Sequence, residues 1–134
     1  MLRPEVVARE TQAAMGPRMA QEAPERIVFV YTTYPAIVEA EEAGTALLEA
    51  QLAACVNILP GMISLYRWKG AVERGEETVM IVKTRAVLAE AVAERVREMH
   101  SYDTPAILVI PIESVDSDYL AWLTAETERP AAQT

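Results

Sequence analysis

The sequence has very few of the side chains that most often carry catalysis or tight metal binding. Its 134 residues include one cysteine and one histidine. A single cysteine cannot close an intramolecular disulfide, so the chain fits a reducing compartment. Five glycines occur, and none of them forms a GxGxxG or P-loop motif. A glycine-rich loop that cradles nucleotide phosphates is therefore excluded.

Positive charge is also scarce, with 12 basic residues against 20 acidic ones and a net charge of -8. Nucleic acids and anionic membrane surfaces are bound through basic side chains, so neither is an expected partner. No apolar run approaches the roughly 20 residues of a membrane span, and the first residues lack the apolar core of a secretory signal. We therefore expect a cytoplasmic protein.

What the sequence does contain is enough apolar material for one domain, since 51% of its residues are hydrophobic and 24% are charged. Residues 1–26 stand apart, because their charges cancel and three prolines interrupt them. We interpret residues 1–26 as a flexible N-terminal extension, residues 27–128 as the folded domain and residues 129–134 as a loose C-terminal tail.

Hydrophobic patterning predicts seven elements in the order β-α-β-β-α-β-α. β-branched and apolar runs mark the first and last strands, and apolar residues at helical spacing mark two long helices. The predicted spans are 27–33, 35–52, a hairpin over 53–84, 85–99, 106–112 and a short helix that follows Asp116. This is the order of a ferredoxin-like split βαβ fold, an α+β class with helices on one face of an antiparallel sheet.

The hairpin is the most unusual stretch of the chain. Its first strand alternates apolar and polar residues, and the dipeptide Pro60-Gly61 predicts a bend or bulge in the middle. Large apolar side chains here would leave a sheet face exposed to water, which usually marks an interface. We therefore expect Ile63, Tyr66 and Trp68 to contact another subunit.

An ordered set of motifs runs from the hairpin to the end of the domain. Its members are Cys55-Val56-Asn57-Ile58, Pro60-Gly61, Ser64, Tyr66, Trp68, Gly70, Glu76-Glu77, Lys83-Thr84, His100-x-Tyr102-x-x-Pro105 and Tyr119-Leu120-Ala121-Trp122. Together they resemble the CutA family of divalent-cation tolerance proteins over residues 27–128. The resemblance implies a non-enzymatic homotrimer whose sheets pack together inside, and which binds copper or another divalent metal ion.

The candidate metal ligands are Cys55, His100 and Asp103. Thiolate and imidazole suit copper or zinc, and a carboxylate adds a hard oxygen. The spacing does not demand a metal site, because Cys55 and His100 lie 45 positions apart rather than in a short motif. The alternatives are a small buried hydrophobe for Cys55 and a helix C-cap for His100. To bind one ion, Cys55 and His100 would have to lie close together. We expect the helix-to-strand junctions that carry them to lie at the same end of the sheet, or to meet across a subunit boundary.

The chain departs from the family pattern in the loop after the second helix. Where relatives usually read His-Pro-Tyr-Glu-x-Pro-Glu, this chain has Ser101, Asp103 and Ala106 in place of the proline and the two glutamates. The lost carboxylate at position 106 implies weaker ion binding than in relatives that keep it. Glu76, Glu77 and Lys83 are expected to cluster at the end of the hairpin, as a solvated charge patch or as oxygen ligands.

Two other functions remain open from the sequence. One is a small-molecule sensor that resembles PII signalling trimers and uses clefts between subunits. Residues 27–134 hold eight basic against sixteen acidic residues, which disfavours binding of nucleotide phosphates there. The other is a thiol-dependent enzyme that uses Cys55 with His100, although no orienting third residue is evident from the spacing.

Overall fold

The computed structural model describes residues 26–128. Apart from Arg26, the predicted N-terminal extension and C-terminal tail lie outside these residues. The elements are β1 (Ile27–Tyr34), α1 (Ile37–Glu49), β2 (Cys55–Trp68), β3 (Ala71–Arg85), a 3-10 turn (Ala86–Leu88), α2 (Ala89–Met99), β4 (Ile107–Pro111) and α3 (Ser117–Glu126). The predicted order of elements is confirmed. None of the helices in the described part of the chain has the length and apolarity needed to cross a membrane.

The four strands form one antiparallel sheet in the order β2-β3-β1-β4, which confirms the predicted split βαβ topology. Alternate residues of the central strands, such as Val30 and Val82, are fully buried and face the helices. Leu47 of α1 and Val92 and Val96 of α2 belong to the same core cluster. The two amphipathic helices therefore cover one face of the sheet, as their apolar stripes predict.

The third helix packs at one end of the opposite face. Its Tyr119 ring lies 6.0 Å from Lys83 Nζ, and Arg85 Nε donates a hydrogen bond of 2.9 Å to Thr127 Oγ1 just beyond the helix. Lys83 and Arg85 alternate with Val82 and therefore point away from α1 and α2. The sequence predicts the helix but not this position.

The bend in the hairpin is confirmed. The pairing of β2 with β3 shifts between Leu59 and Met62, and Gly61 between them has a φ of 77°. A left-handed φ of this kind favours glycine, which explains why the bulge lies at Pro60-Gly61. We call this bulge the kink. β1 pairs only with residues 78–85 of β3, so the hairpin continues well past the end of β1.

Candidate functional site

Cys55 opens β2 on the sheet face that α3 partly covers. It pairs with Lys83 and is half-buried, and Asn57 Nδ2 lies 3.8 Å from its Sγ. Burial, followed by the charge and hydrogen bonding of the Cys55 thiol, raises the pKa of Tyr119. The thiol thus sits among polar and aromatic side chains rather than in the apolar core.

His100 follows the last residue of α2, and both of its ring nitrogens are hydrogen-bonded. Nε2 lies 2.7 Å from the carbonyl oxygen of Thr33, which can only accept, so Nε2 carries the hydrogen. Nδ1 accepts a hydrogen bond of 3.1 Å from the backbone N–H of Tyr102. The ring also stacks on Tyr34, with centroids 4.2 Å apart and planes inclined by 10°. A metal ion at His100 would have to replace one of these two hydrogen bonds.

Tyr102 reaches from the same loop to the hairpin. Its hydroxyl donates a hydrogen bond of 2.7 Å to Glu77 Oε2, and Thr33 Oγ1 lies 3.4 Å from the same oxygen. Burial, the hydrogen bond to Glu77 and the carboxylates of Glu77 and Glu39 raise the pKa of Tyr102. The Glu77 carboxylate is therefore held by two neutral hydroxyl donors.

Ser101, between these two residues, binds the start of α1. Its backbone N–H and its hydroxyl donate hydrogen bonds of 3.0 Å each to the two carboxylate oxygens of Glu39. A proline at this position, as in the family pattern, would lack both donors. This contact is therefore specific to the serine.

A shallow cleft of about 250 Å³ lies beside Glu77, between the start of α1 and the kink. The lining residues are Pro35, Ala36, Ile37, Pro60, Gly61, Glu76, Glu77 and Thr78. The ionisable side chains among them are both glutamates, so the cleft suits a cation better than a phosphate. This charge argues against the PII-like alternative for this surface.

The structure places Cys55 and His100 at opposite ends of the sheet. Cys55 is level with Phe29 near the start of β1, through the pairs Cys55–Lys83 and Lys83–Phe29, whereas His100 contacts Thr33 near its end. β3 runs antiparallel to β1, so the second strand–helix–strand unit runs opposite to the first. The expectation that the two junctions share one end was wrong. Asp103 lies in the His100 loop and is exposed.

The expectation that Glu76, Glu77 and Lys83 cluster at the end of the hairpin was also wrong. The turn of the hairpin is Lys69–Gly70, whereas Glu76 pairs with Ile63 beside the kink. Lys83 lies six residues further along β3 than Glu77, roughly 20 Å away at the rise of an extended strand. Within residues 26–128, no group of three or more His, Cys, Asp or Glu side chains is arranged to hold a metal ion.

The three residues predicted to contact another subunit are exposed in the single chain. Ile63, Tyr66 and Trp68 are 45%, 47% and 58% exposed. The register places Tyr66 and Trp68 on one face of the hairpin and Ile63 on the other. Both faces of the hairpin thus carry apolar surface that one chain leaves uncovered.

Sequence reasoning missed the residues that hold the His100 loop in place. Thr33 and Glu39 lie 67 and 62 positions away from their partners, and no local pattern links them. Tyr102 and Glu77 both belong to the motifs of the family resemblance, and that co-occurrence was the only signal for their contact.

Comparisons with known proteins agree on one family. The CutA1 family, described as divalent ion tolerance proteins, matches residues 28–126 of this chain. A divalent-cation tolerance protein CutA from Archaeoglobus fulgidus is 45% identical over 100 residues, which cover 75% of this chain and 97% of that protein. Another from Pectobacterium atrosepticum is 42% identical over 98 residues, which cover 73% and 89%.

Solved structures show the same fold. The structure of the periplasmic divalent cation tolerance protein CutA from Archaeoglobus fulgidus matches with a TM-score of 0.74 at 44% identity, covering 76% of this chain and 99% of that one. The structure of CutA1 from Oryza sativa matches with a TM-score of 0.74 at 36% identity, covering 78% and 96%.

Proposed function

The chain belongs to the CutA1 family of divalent ion tolerance proteins, and we propose that it is a non-enzymatic homotrimer that binds divalent cations, copper among them. The observation that carries the trimer is the exposed apolar surface on both faces of the hairpin, whereas cation binding rests on membership of the family. Surfaces of this kind are rare on monomers and usually mark an interface.

The sheet edges support self-association as well. The order β2-β3-β1-β4 leaves β2 and β4 at the edges, where backbone groups need a partner. Leu108 and Ile110 of β4 are half-exposed, on the face opposite α1 and α2. A second copy that pairs with an edge strand and covers this face would satisfy both needs.

The non-enzymatic part of the proposal is supported by the distance between the two reactive side chains. A base within hydrogen-bond reach is one common way to activate a thiol nucleophile, and within one chain Cys55 and His100 lie at opposite ends of the sheet. In addition, both ring nitrogens of His100 are already hydrogen-bonded to the backbone of Thr33 and Tyr102. Within one chain, this geometry argues against a thiol–base pair of Cys55 and His100.

Cation binding by Cys55, His100 and Asp103 is proposed only between subunits, because a single chain separates Cys55 from the other two. We expect weak binding, since an ion at His100 competes with a hydrogen bond that the ring already makes. Ala106 is exposed in the same loop. An Ala106→Glu change restores a carboxylate there and is expected to strengthen binding.

Calorimetric titration with Cu(II), carried out on the full chain, tests the ligand assignment. We expect the affinity for Cu(II) to fall at least tenfold in Cys55→Ser and in His100→Ala. In the control Glu42→Gln, on the surface of α1, the affinity should be unchanged. We also expect weaker binding at low pH, because thiol and imidazole must lose protons to bind the ion. If both variants bind Cu(II) as the parent does, the assignment is wrong.

The cytoplasmic location stays a prediction from the single cysteine. One solved relative is described as periplasmic and a relative from Arabidopsis thaliana as chloroplastic, so the names of relatives place the family in more than one compartment. Fractionation of the native host, with detection of the chain by antibody, would decide between a cytoplasmic and a periplasmic location.

A further inference from the structure

Three consecutive residues, 100–102, bind three different elements, each through a partner that lies at least 25 positions away in the sequence. His100 binds β1 through Thr33, Ser101 binds α1 through Glu39, and Tyr102 binds β3 through Glu77. We call residues 100–102 the strap. We propose that the strap is a conformational device that couples the exposed start of α1 to the kink of the hairpin.

The first anchor is the Glu39 carboxylate. It accepts both hydrogen bonds that Ser101 donates, at 3.0 Å each, so one side chain fixes the position and the orientation of the strap at this point. Hydrogen bonds to an ionised acceptor are about twice as strong as neutral ones. Ser101 is exposed and Glu39 is half-buried, so solvent and solutes reach part of this anchor.

His100 connects the first anchor to the second. Its ring is held on one side by the carbonyl of Thr33 and on its face by Tyr34, so it behaves as part of the rigid core. Nδ1 accepts the N–H of Tyr102, which fixes the backbone of the next anchor two residues on. A shift of Ser101 must therefore move Tyr102 or break this hydrogen bond.

The second anchor is the Glu77 carboxylate, which accepts the Tyr102 hydroxyl at 2.7 Å. Glu77 pairs with Met62, the first residue pair beyond the kink. The Tyr102 hydroxyl thus holds the hairpin at the point where its ladder is interrupted. Release of Tyr102 loosens the kink. Loss of the hydrogen bonds at Glu39 therefore increases the mobility of the kink as well.

This coupling gives the hairpin a control point on the outer surface. Any solute that takes over the Glu39 carboxylate, such as a divalent cation, weakens the hold on the kink. The consequence for assembly rests on the proposed trimer, whereas the coupling itself concerns one chain. A failure of the trimer or of cation binding therefore leaves the coupling testable.

Amide hydrogen exchange on the full chain tests the coupling from the Glu39 side. In Glu39→Ala we expect the exchange rate of the Tyr102 amide, which does not touch Glu39, to rise at least tenfold. The control Glu42→Ala removes a carboxylate from the same helix and should leave that rate unchanged. Unchanged exchange at Val30 and Val82 shows that the core remains folded.

The reverse experiment uses Tyr102→Phe, which removes one hydroxyl and keeps the ring. The exchange rate of the Ser101 amide, at the other anchor, should rise at least fivefold, whereas Tyr31→Phe in β1 should not change it. If the Tyr102 amide in Glu39→Ala and the Ser101 amide in Tyr102→Phe both exchange as in the parent, the anchors are independent and the proposal is wrong.

Discussion

Tyr34 carries an unsatisfied hydroxyl in the core. Its side chain is fully buried, and its hydroxyl has no hydrogen-bond partner among the described residues. Burial, together with the nearby Glu39 carboxylate, raises the pKa of Tyr34 from its ordinary 10.0 to about 12. The neutral phenol is therefore the form that the folded state favours.

This raised pKa predicts the response of the protein to alkaline pH. Because the folded-state pKa exceeds the unfolded one, the contribution of Tyr34 to stability is complete below about pH 10 and is lost as the pH rises towards 12. Tyr34→Phe cannot ionise, so we expect its free energy of unfolding to fall less over this range. At pH 7 the variant should be neutral or more stable by up to about 1 kcal/mol, since it removes a buried unpaired hydroxyl.

Chemical denaturation at pH 7, 10 and 11.5 measures this difference, with Tyr31→Phe as the control. Tyr31 lies in the same strand but is only partly buried. Equal loss of stability for the parent and Tyr34→Phe between pH 10 and 11.5 would contradict the account of this residue.

The single histidine shows where sequence reasoning stops at the scale of one residue. The sequence offered two interpretations of His100, a metal ligand or a helix cap, and its position after α2 fits the second. Both ring nitrogens are in fact hydrogen-bonded, one to the carbonyl of Thr33, 67 positions away, and the other to the backbone N–H of Tyr102. The first of these contacts depends on which strand lies beside the loop, and local patterns do not encode that.

Among the elements, α1 is the one most closely fitted to the sheet. Gly44 lies on its buried face, and a Cβ added there would be 3.0 Å from Val56 Cγ1 and 3.6 Å from Met80 Sδ. The missing side chain thus allows the helix to approach β2 and β3. Glycine in a helix costs about 1 kcal/mol relative to alanine, so the close contact must compensate for it.

Gly44→Ala tests this contact. The gain in helix propensity, about 1 kcal/mol, opposes overpacking that typically costs about 1–3 kcal/mol. We expect a net loss of about 1 kcal/mol in the free energy of unfolding, measured by urea denaturation. Val56→Ala should reduce that loss when combined with Gly44→Ala, because it removes Val56 Cγ1, the atom nearest to the added Cβ.

The adjacent Thr45→Ala provides the control, since Thr45 is exposed and the change raises helix propensity without a new contact. A Gly44→Ala protein that is as stable as Thr45→Ala, or more so, would show that the helix can move away at no cost.

The elements and their topology were more predictable than the contacts between side chains that are distant in the sequence. The alternation around Cys55, the dipeptide Pro60-Gly61 and the acid at Asp116 predicted the hairpin, its kink and the capped start of α3, where Asp116 accepts the N–H groups of Asp118 and Tyr119. These signals are local, and local physics is enough for them. The ends of the sheet at which Cys55 and His100 lie follow from strand direction, because β2 and β4 run in opposite directions and therefore begin at opposite ends. The expectation of a shared end overlooked this consequence of the predicted antiparallel sheet.

For the whole molecule, the surface of one chain is incomplete. The hairpin extends past the central strands with apolar side chains on both faces, and half-exposed apolar residues line the edge strand β4. Such a surface is expected to be covered in solution, and the family resemblance implies that two further copies of the chain cover it. Cation binding between subunits depends on the same assembly.

Sedimentation velocity of the full chain and of Trp68→Glu tests whether three copies of the chain assemble through the hairpin. The parent should sediment at about 44 kDa, three times the 14.8 kDa of one chain. Trp68→Glu should sediment as monomers or aggregates, because it places an unpaired charge in the core of the interface. Val87→Glu, which alters an equally exposed apolar residue in the 3-10 turn, should remain trimeric. A parent that sediments as a monomer would show that the chain does not form a trimer, and a Trp68→Glu protein that remains a stable trimer would show that Trp68 lies outside the interface.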